Sequence, residues 1–322
     1  MSDRTPVEIH PIRTKHHRAD GQPYAQLARR RESGEITRLR TGVFLPSAEW
    51  RGLGPVNRHR LLVTETFPLL RSDAVAAFWS AAAMLGIPLL GSPPDRVHVT
   101  DVRKGGQSST HVRHHRERRR PPSVVVEGVA CTTPARTVVD LARVQTFEAA
   151  LIAVDHVLSR GMASHEEVVT EMEALGRAHG SWRTRLVVAH ASDRSESPGE
   201  SLSRARMIQL GAPLPELQHE FRDDRGLIGR SDYWWETPGL VGEFDGAGKY
   251  GVGKGAMEVS ANEVVYREKL REDRIRALGW TFLRWGWDDA ISLPRFTRIL
   301  AAAGLIESSS TPLPQYMYRE RD

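Results

Sequence analysis

The sequence predicts an α/β protein of the α+β kind, assembled from more than one part. Its 322 residues exceed the size at which a single hydrophobic core stops growing. An alternating basic run stands near the front, and a rear stretch orders its periodicities as α-β-β-β-α-β. Composition is ordinary for a globular chain, 40% hydrophobic and 26% charged with 27 Gly and 19 Pro. Wholesale disorder, collagen-like repeats and a disulfide scaffold are therefore excluded.

In the front part, Tyr24, Leu27 and Ala28 have helical spacing and run into Arg29-Arg30-Arg31. Gly34 follows, then the alternation from Ile36 to Leu45, which carries Arg38 and Arg40. This predicts a short basic helix and a basic hairpin, the back half of a winged helix. Met1 to Gly21 holds no periodic counterpart of the usual earlier helices, so residues 1–60 read as a basic, partial and degenerate winged-helix module.

The next part, 61–180, is a mixed α/β region. Ala74–Leu85 reads as a buried helix, Val97–Thr100 and Val124–Val126 as strands, and Arg103 to Arg120 as a basic run. Leu151, Val154 and Leu158 share a helical face that ends at Gly161, and Ser164 with Glu167 spells a capping box. From Gly176 to Gly199 the Ser and Pro content has linker character, and the boundary is placed at 181–196.

Charge is uneven along the chain. Met1–Arg120 carries 21 Lys/Arg against 11 Asp/Glu, within a whole-chain net charge of +5. Clustered Arg and Lys favour a polyanion, because phosphates release condensed counterions to them. Arg29, Arg30, Arg31, Arg38, Arg40, Arg113, Arg116, Arg118, Arg119 and Arg120 are the candidate nucleic-acid contacts. Cys131 is the single cysteine, which points to a reducing, cytoplasmic setting. The polar front lacks a signal-like apolar core, and the longest apolar stretch, Ala74–Leu90, is broken by Gly86 and Pro88, so no membrane partner is expected.

Trp79 to Gly86, Val97 to Thr100, and Cys131 to Ala142 resemble the AbiE-type abortive-infection antitoxin and regulator family. That resemblance, over about residues 20–180, implies a winged-helix DNA reader with a regulatory α/β region and a cognate toxin as partner. It implies no catalysis.

The rear part, 197–305 before a tail at 306–322, is the most informative. Ser197 and Pro198 open a helix to Leu210; Leu217–Phe221, Leu227–Trp235 and Leu240–Asp245 read as strands; Asn262–Leu278 is a long polar helix and Trp280–Trp285 a last strand. Glu243 and Asp245 lie two apart and share a strand face. A two-residue hairpin loop would set Asp232 opposite Asp245, and a four-residue loop opposite Glu243; either gathers three carboxylates on one face, and a three-residue loop does not. Opposed like charges weaken a hairpin. A divalent cation, Mg²⁺ or Mn²⁺ by the chemistry of all-oxygen ligands, would remove the conflict and support phosphodiester hydrolysis.

Gly229 to Tyr233, Val241 to Gly246, Lys249-Tyr250-Gly251, Arg267 to Asp273 and Leu278 to Trp285 resemble the PD-(D/E)XK nucleases, the restriction endonuclease-like fold, in the branch related to very-short-patch-repair endonucleases. The resemblance implies that Asp232 and Glu243 hold the metal and that Glu200 completes its shell. Asp245 stands where the standard motif has Lys, so Lys249, or Lys269 on the long helix, would take the lysine's part in positioning water.

Bland alternatives accompany these residues. Glu200 suits a capping box with Ser197, Asp245 an Asx-turn, and Glu268, Lys269, Glu272 and Asp273 a solvated helix face. His111, His114 and His115 could ligate a metal from one face of a helix but sit in an Arg-rich run that offers no Cys and no expected acidic partner, and His16-His17 reads as part of an arm. Two readings follow: a DNA-binding, metal-dependent endonuclease-like hydrolase, or a non-catalytic regulator or antitoxin that keeps the nuclease fold as a platform.

Overall fold

The computed structural model describes residues 10–14, 24–70, 73–102, 108–117, 119–176, 178–246 and 258–313, with backbone alone for 24, 258–262, 264 and 265. His16, His17, Arg118 and Lys249 lie outside the described residues. The chain divides into two compact units, Met1–Thr137 and Val138–Asp322.

In the first unit, β1 (Ile12–Arg13), α1 (Tyr24–Glu32), β2 (Ile36–Arg40) and β3 (Val43–Pro46) form a helix with a three-stranded antiparallel sheet in the order β1-β3-β2. Gly42, at φ +80, supplies the left-handed turn between β2 and β3. Leu27, Ile36 and Phe44 make the small core beneath them. The basic helix and hairpin thus form where the pattern put them.

Two helices follow, α2 (Ser47–Gly52) and α3 (Pro55–Thr66). Then come β4 (Val75–Ala76), α4 (Phe78–Leu85), β5 (Val97–Asp101), β6 (Val112–Arg116), β7 (Ser123–Val126), β8 (Val129–Thr132) and α5 (Pro134–Ala142), within which the two units divide. The five strands make a mixed sheet in the order β6-β5-β4-β8-β7.

Three expectations change in this region. The stretch read as one helix over 74–85 begins with β4, whose Val75 and Ala76 pair with Thr100 and Val99 of β5. The basic run holds a strand, β6, so His111, His114 and His115 do not share a helix face. The stretch expected as linker, 181–196, holds a helix, and the compact units divide at Thr137/Val138 instead.

The second unit contains α6 (Phe147–Ser159), α7 (His165–Ala174), α8 (Ser181–Ala189), α9 (Pro198–Gln209), β9 (Glu216–Asp223), β10 (Gly226–Trp235), β11 (Leu240–Asp245), α10 (Glu258–Ala277), β12 (Thr281–Gly286), α11 (Trp287–Ile291) and α12 (Leu293–Ala302). Ser164 and Glu167 form the capping box of α7, with bonds of 3.1 and 2.7 Å. The sheet order is β12-β11-β10-β9, with β11 and β12 parallel and the other pairs antiparallel. From α9 to β12 the element order is the expected α-β-β-β-α-β, and its parallel final pair requires the crossover that α10 supplies.

Candidate functional site

Trp235 pairs with Leu240 and Tyr233 with Gly242, so four residues, 236–239, connect β10 to β11. Continuing that register sets Asp232 opposite Glu243. Strand alternation then sorts the sheet into two faces. Tyr233, Gly242, Phe244 and Trp285 look toward α9, where the approach is so close that a Cβ on Gly199 would fall 2.0 Å from the Phe244 ring. The Tyr233 hydroxyl donates to the Glu200 carbonyl at 2.8 Å and Trp285 Nε1 to Ser203 Oγ at 2.7 Å. Val241 and Glu243 look the other way, toward α10, where Phe221, Val241 and Ile275 form a core.

Glu243 is buried, and both of its oxygens are engaged by arginines. Oε1 accepts from Arg271 on α10, and Oε2 lies 2.7 Å from Arg284 on β12. Arg271 also binds Glu268, and Arg284 reaches Glu268 at 3.3 Å and Glu272 at 2.9 Å. The result is a network of three glutamates threaded by two guanidinium groups. Bonding to Arg271 holds the Glu268 carboxyl below its usual range. Burial pushes the Glu243 carboxyl up, against the pull of Arg271 and Arg284.

Asp232 uses one oxygen to accept the Phe244 backbone N–H at 2.8 Å. The Glu200 carboxylate accepts from the Glu196 N–H at 2.9 Å and the Gln218 amide at 3.1 Å, while its own N–H donates to Oγ of the N-cap Ser197 at 3.2 Å. Burial pushes the Tyr233 phenol well up, with the charges of Glu200 and Asp232 adding to the effect. Asp245 is exposed at the end of β11.

The register therefore opposes Asp232 and Glu243, while the side chains point their oxygens at protein donors. Among the described residues, no group of three or more His, Cys, Asp and Glu side chains is placed to hold a metal ion. In this arrangement the donor set does not fit Mg²⁺ or Mn²⁺. Both Glu243 oxygens already face cations, and such a metal would have to displace them.

Lys269 is exposed and lies about 100° around α10 from Glu268. Glu268, Arg271, Glu272 and Ile275 are among the residues on its sheet-facing side, and the basic group of α10 that faces Glu243 is Arg271. Sequence reasoning passed over Arg271 and Arg284. The available signal was spacing: Arg271 stands three residues after Glu268 and four before Ile275, and Arg284 shares a strand face with Phe282 two residues earlier.

In the first unit, Arg29 and Arg31 are exposed in the last turn of α1, and Arg30 pairs with Glu35 at 2.6 Å. Arg38 is exposed and donates to Thr41 at 2.8 Å, and Arg40, half-buried, donates to the Glu65 carbonyl at 3.2 Å. Arg113 and Arg116 are exposed on β6, an edge strand, and Arg119 and Arg120 are exposed beyond it. The three nearby histidines have separate surroundings. His114 bonds Asp101 at 2.8 Å, His115 stacks on Phe78 with centroids 4.1 Å apart, and His111 lies beside Arg38 and Arg40. Cys131 is buried, and burial pushes its thiol up to about 12, as suits a small core residue. No helix among the described residues is long and apolar enough to cross a membrane.

No protein-family model matches the chain. Two curated proteins of Mycobacterium tuberculosis, MT2308 of strain CDC 1551 / Oshkosh and Rv2248 of strain ATCC 25618 / H37Rv, both described only as uncharacterized, are each 30% identical to it over 164 residues. The match takes in 51% of this chain and 57% of the length of those relatives. The crystal structure of the RV2827C protein from the same species superposes on 66% of this chain and 83% of its own at 14% identity, with a TM-score of 0.35, a level that carries no argument.

Proposed function

We propose that this chain is a DNA-binding regulator of the antitoxin kind, with a cognate toxin as protein partner, whose rear unit keeps a nuclease-like scaffold as a non-catalytic platform. The observation that carries this reading is the double engagement of Glu243 by Arg271 and Arg284. Positive charge that a hydrolytic site would take from a metal is here covalently part of the protein. The exposed arginines of α1, β2 and β6 support contact with the phosphate backbone. In this reading the front unit is a partial winged helix presenting its basic helix and hairpin to the duplex.

The test is retention of duplex DNA by the full chain, followed with salt, together with a cleavage assay in Mg²⁺ and in Mn²⁺. Salt-sensitive binding without cleavage is the expected outcome, and absence of binding at low salt would overturn the reading. A second reading, a metal-dependent endonuclease, is favoured by the register that opposes Asp232 and Glu243. It requires metal-dependent nicking that Asp232→Asn and Glu243→Gln each abolish while DNA retention persists.

A further inference from the structure

The first unit contains a cleft of about 410 Å³ lined by Arg38, Leu39, Arg40, Thr41, Ser109, Thr110 and His111. Two guanidinium groups, an imidazole and three hydroxyls meet there, and among the described residues no acidic side chain lines it. The volume lies in the range of pockets that hold small ligands, roughly 300–1,000 Å³.

Backbone geometry builds the cleft. The β2–β3 register slips between Arg38 and Arg40, so Arg38 pairs with Phe44 and Arg40 with Val43. A bulge of this kind re-aims side chains. The opposite wall is pinned by the Ser109 N–H bonding to the Val112 carbonyl at 2.8 Å and by the His111 carbonyl accepting from Val97 N–H at 2.8 Å.

Among the described residues, neither Arg38 nor Arg40 forms an ion pair with a carboxylate. Glu65 is the acid beside Arg40, but its carboxylate is held bidentately by Arg13 at 2.8 and 2.6 Å. Among the described residues Arg40 donates to the Glu65 backbone carbonyl and not to its carboxylate, and its buried Nε has no hydrogen-bond partner. An unpartnered buried guanidinium N–H costs free energy until an acceptor arrives. Burial, then Arg40 and Arg38, hold the His111 imidazole below its usual range, as expected where cations converge without an anion.

We propose that this cleft is the seat of a phosphate ester, a backbone phosphodiester of bound DNA, held by Arg38 and Arg40 with Ser109, Thr110 and His111 around it. Forked donors match phosphate geometry, and hydroxyls supply further bonds. The inference deepens the DNA-binding reading and rests on it for the source of the phosphate.

The test uses the full chain in two arms. In one, inorganic phosphate and then thymidine 5′-monophosphate are titrated while the His111 ring resonances are followed by NMR. In the other, duplex DNA affinity is measured against salt for the wild type, Arg38→Gln and Arg40→Lys. Arg38 is exposed, so Arg38→Gln leaves the fold in place, and Arg40→Lys keeps the charge but removes the fork.

The expected result is a saturable His111 shift with phosphate that Arg38→Gln weakens, and a salt slope reduced by about one contact in that variant. A His111 signal that stays put in the wild type overturns the seat even if DNA binds elsewhere. A phosphate or nucleotide shift lost in the variants, in a protein that retains no DNA, supports the seat with a free phosphate monoester as ligand and overturns the DNA reading instead.

Discussion

Replacing Arg271 with Met separates a structural ion network from a metal site held in waiting. Glu243 is 8% exposed, and the change leaves it one guanidinium, Arg284 at 2.7 Å, which also serves Glu268 and Glu272. Breaking a buried pair by removing one partner costs about 3–5 kcal/mol. The remaining arginine brings the expectation to or just below the bottom of that range, about 2–3 kcal/mol. For a domain of roughly 150–250 residues this lowers Tm by about 4–12 °C.

The assay is thermal and urea unfolding of wild type, Arg271→Met, Glu243→Gln and the double variant, each with and without Mg²⁺. Coupling through the shared contact predicts a double variant that loses less than the sum of the singles. No loss of stability in Arg271→Met would refute the network. Saturable restabilisation of that variant by Mg²⁺, about 2.7 kcal/mol at a hundredfold excess over Kd, would refute the non-catalytic reading, since it would show carboxylates able to cage the ion once the arginine is gone.

Other consequences follow from named contacts. His59 and His98 are buried, and burial lowers their pKa values to about 4 and about 3 from 6.5. Both are neutral when folded, so their stability is fully present above about pH 6.5 and is lost as pH falls toward 4. The loss is about 2–3 kcal/mol each at pH 4.5, and a flat urea midpoint between pH 7 and 4.5 would contradict it. Asp232→Ala leaves the Phe244 N–H without its acceptor; the expected cost is about 1–3 kcal/mol, read as faster hydrogen exchange at that amide. Gly199→Ala sets a methyl against the Phe244 ring and should destabilise by about 1–3 kcal/mol through overpacking, seen as a lower urea midpoint. Replacing Arg113 and Arg116 together should lower the slope of log affinity against log salt by about two, and an unchanged slope would remove β6 from the DNA surface.

Local signals carried much of the architecture. Gly42 between alternating residues marked the basic hairpin, Ser164 with Glu167 marked the start of α7, and turn residues between apolar runs marked β9, β10 and β11, because turns and caps depend on neighbours in sequence. The opposition of Asp232 and Glu243 was legible up to the loop length, which the pairing of Trp235 with Leu240 decided. Contacts distant in sequence were not legible. Val75 and Ala76 became a strand only because β5 and β8 stood on either side to receive them. Arg271 and Arg284 reached Glu243 from 28 residues away on a helix and from the neighbouring strand. Strand periodicity states which way a carboxylate points, whereas the packed partner across the sheet determines what it meets there, and in this chain that partner is a pair of guanidinium groups.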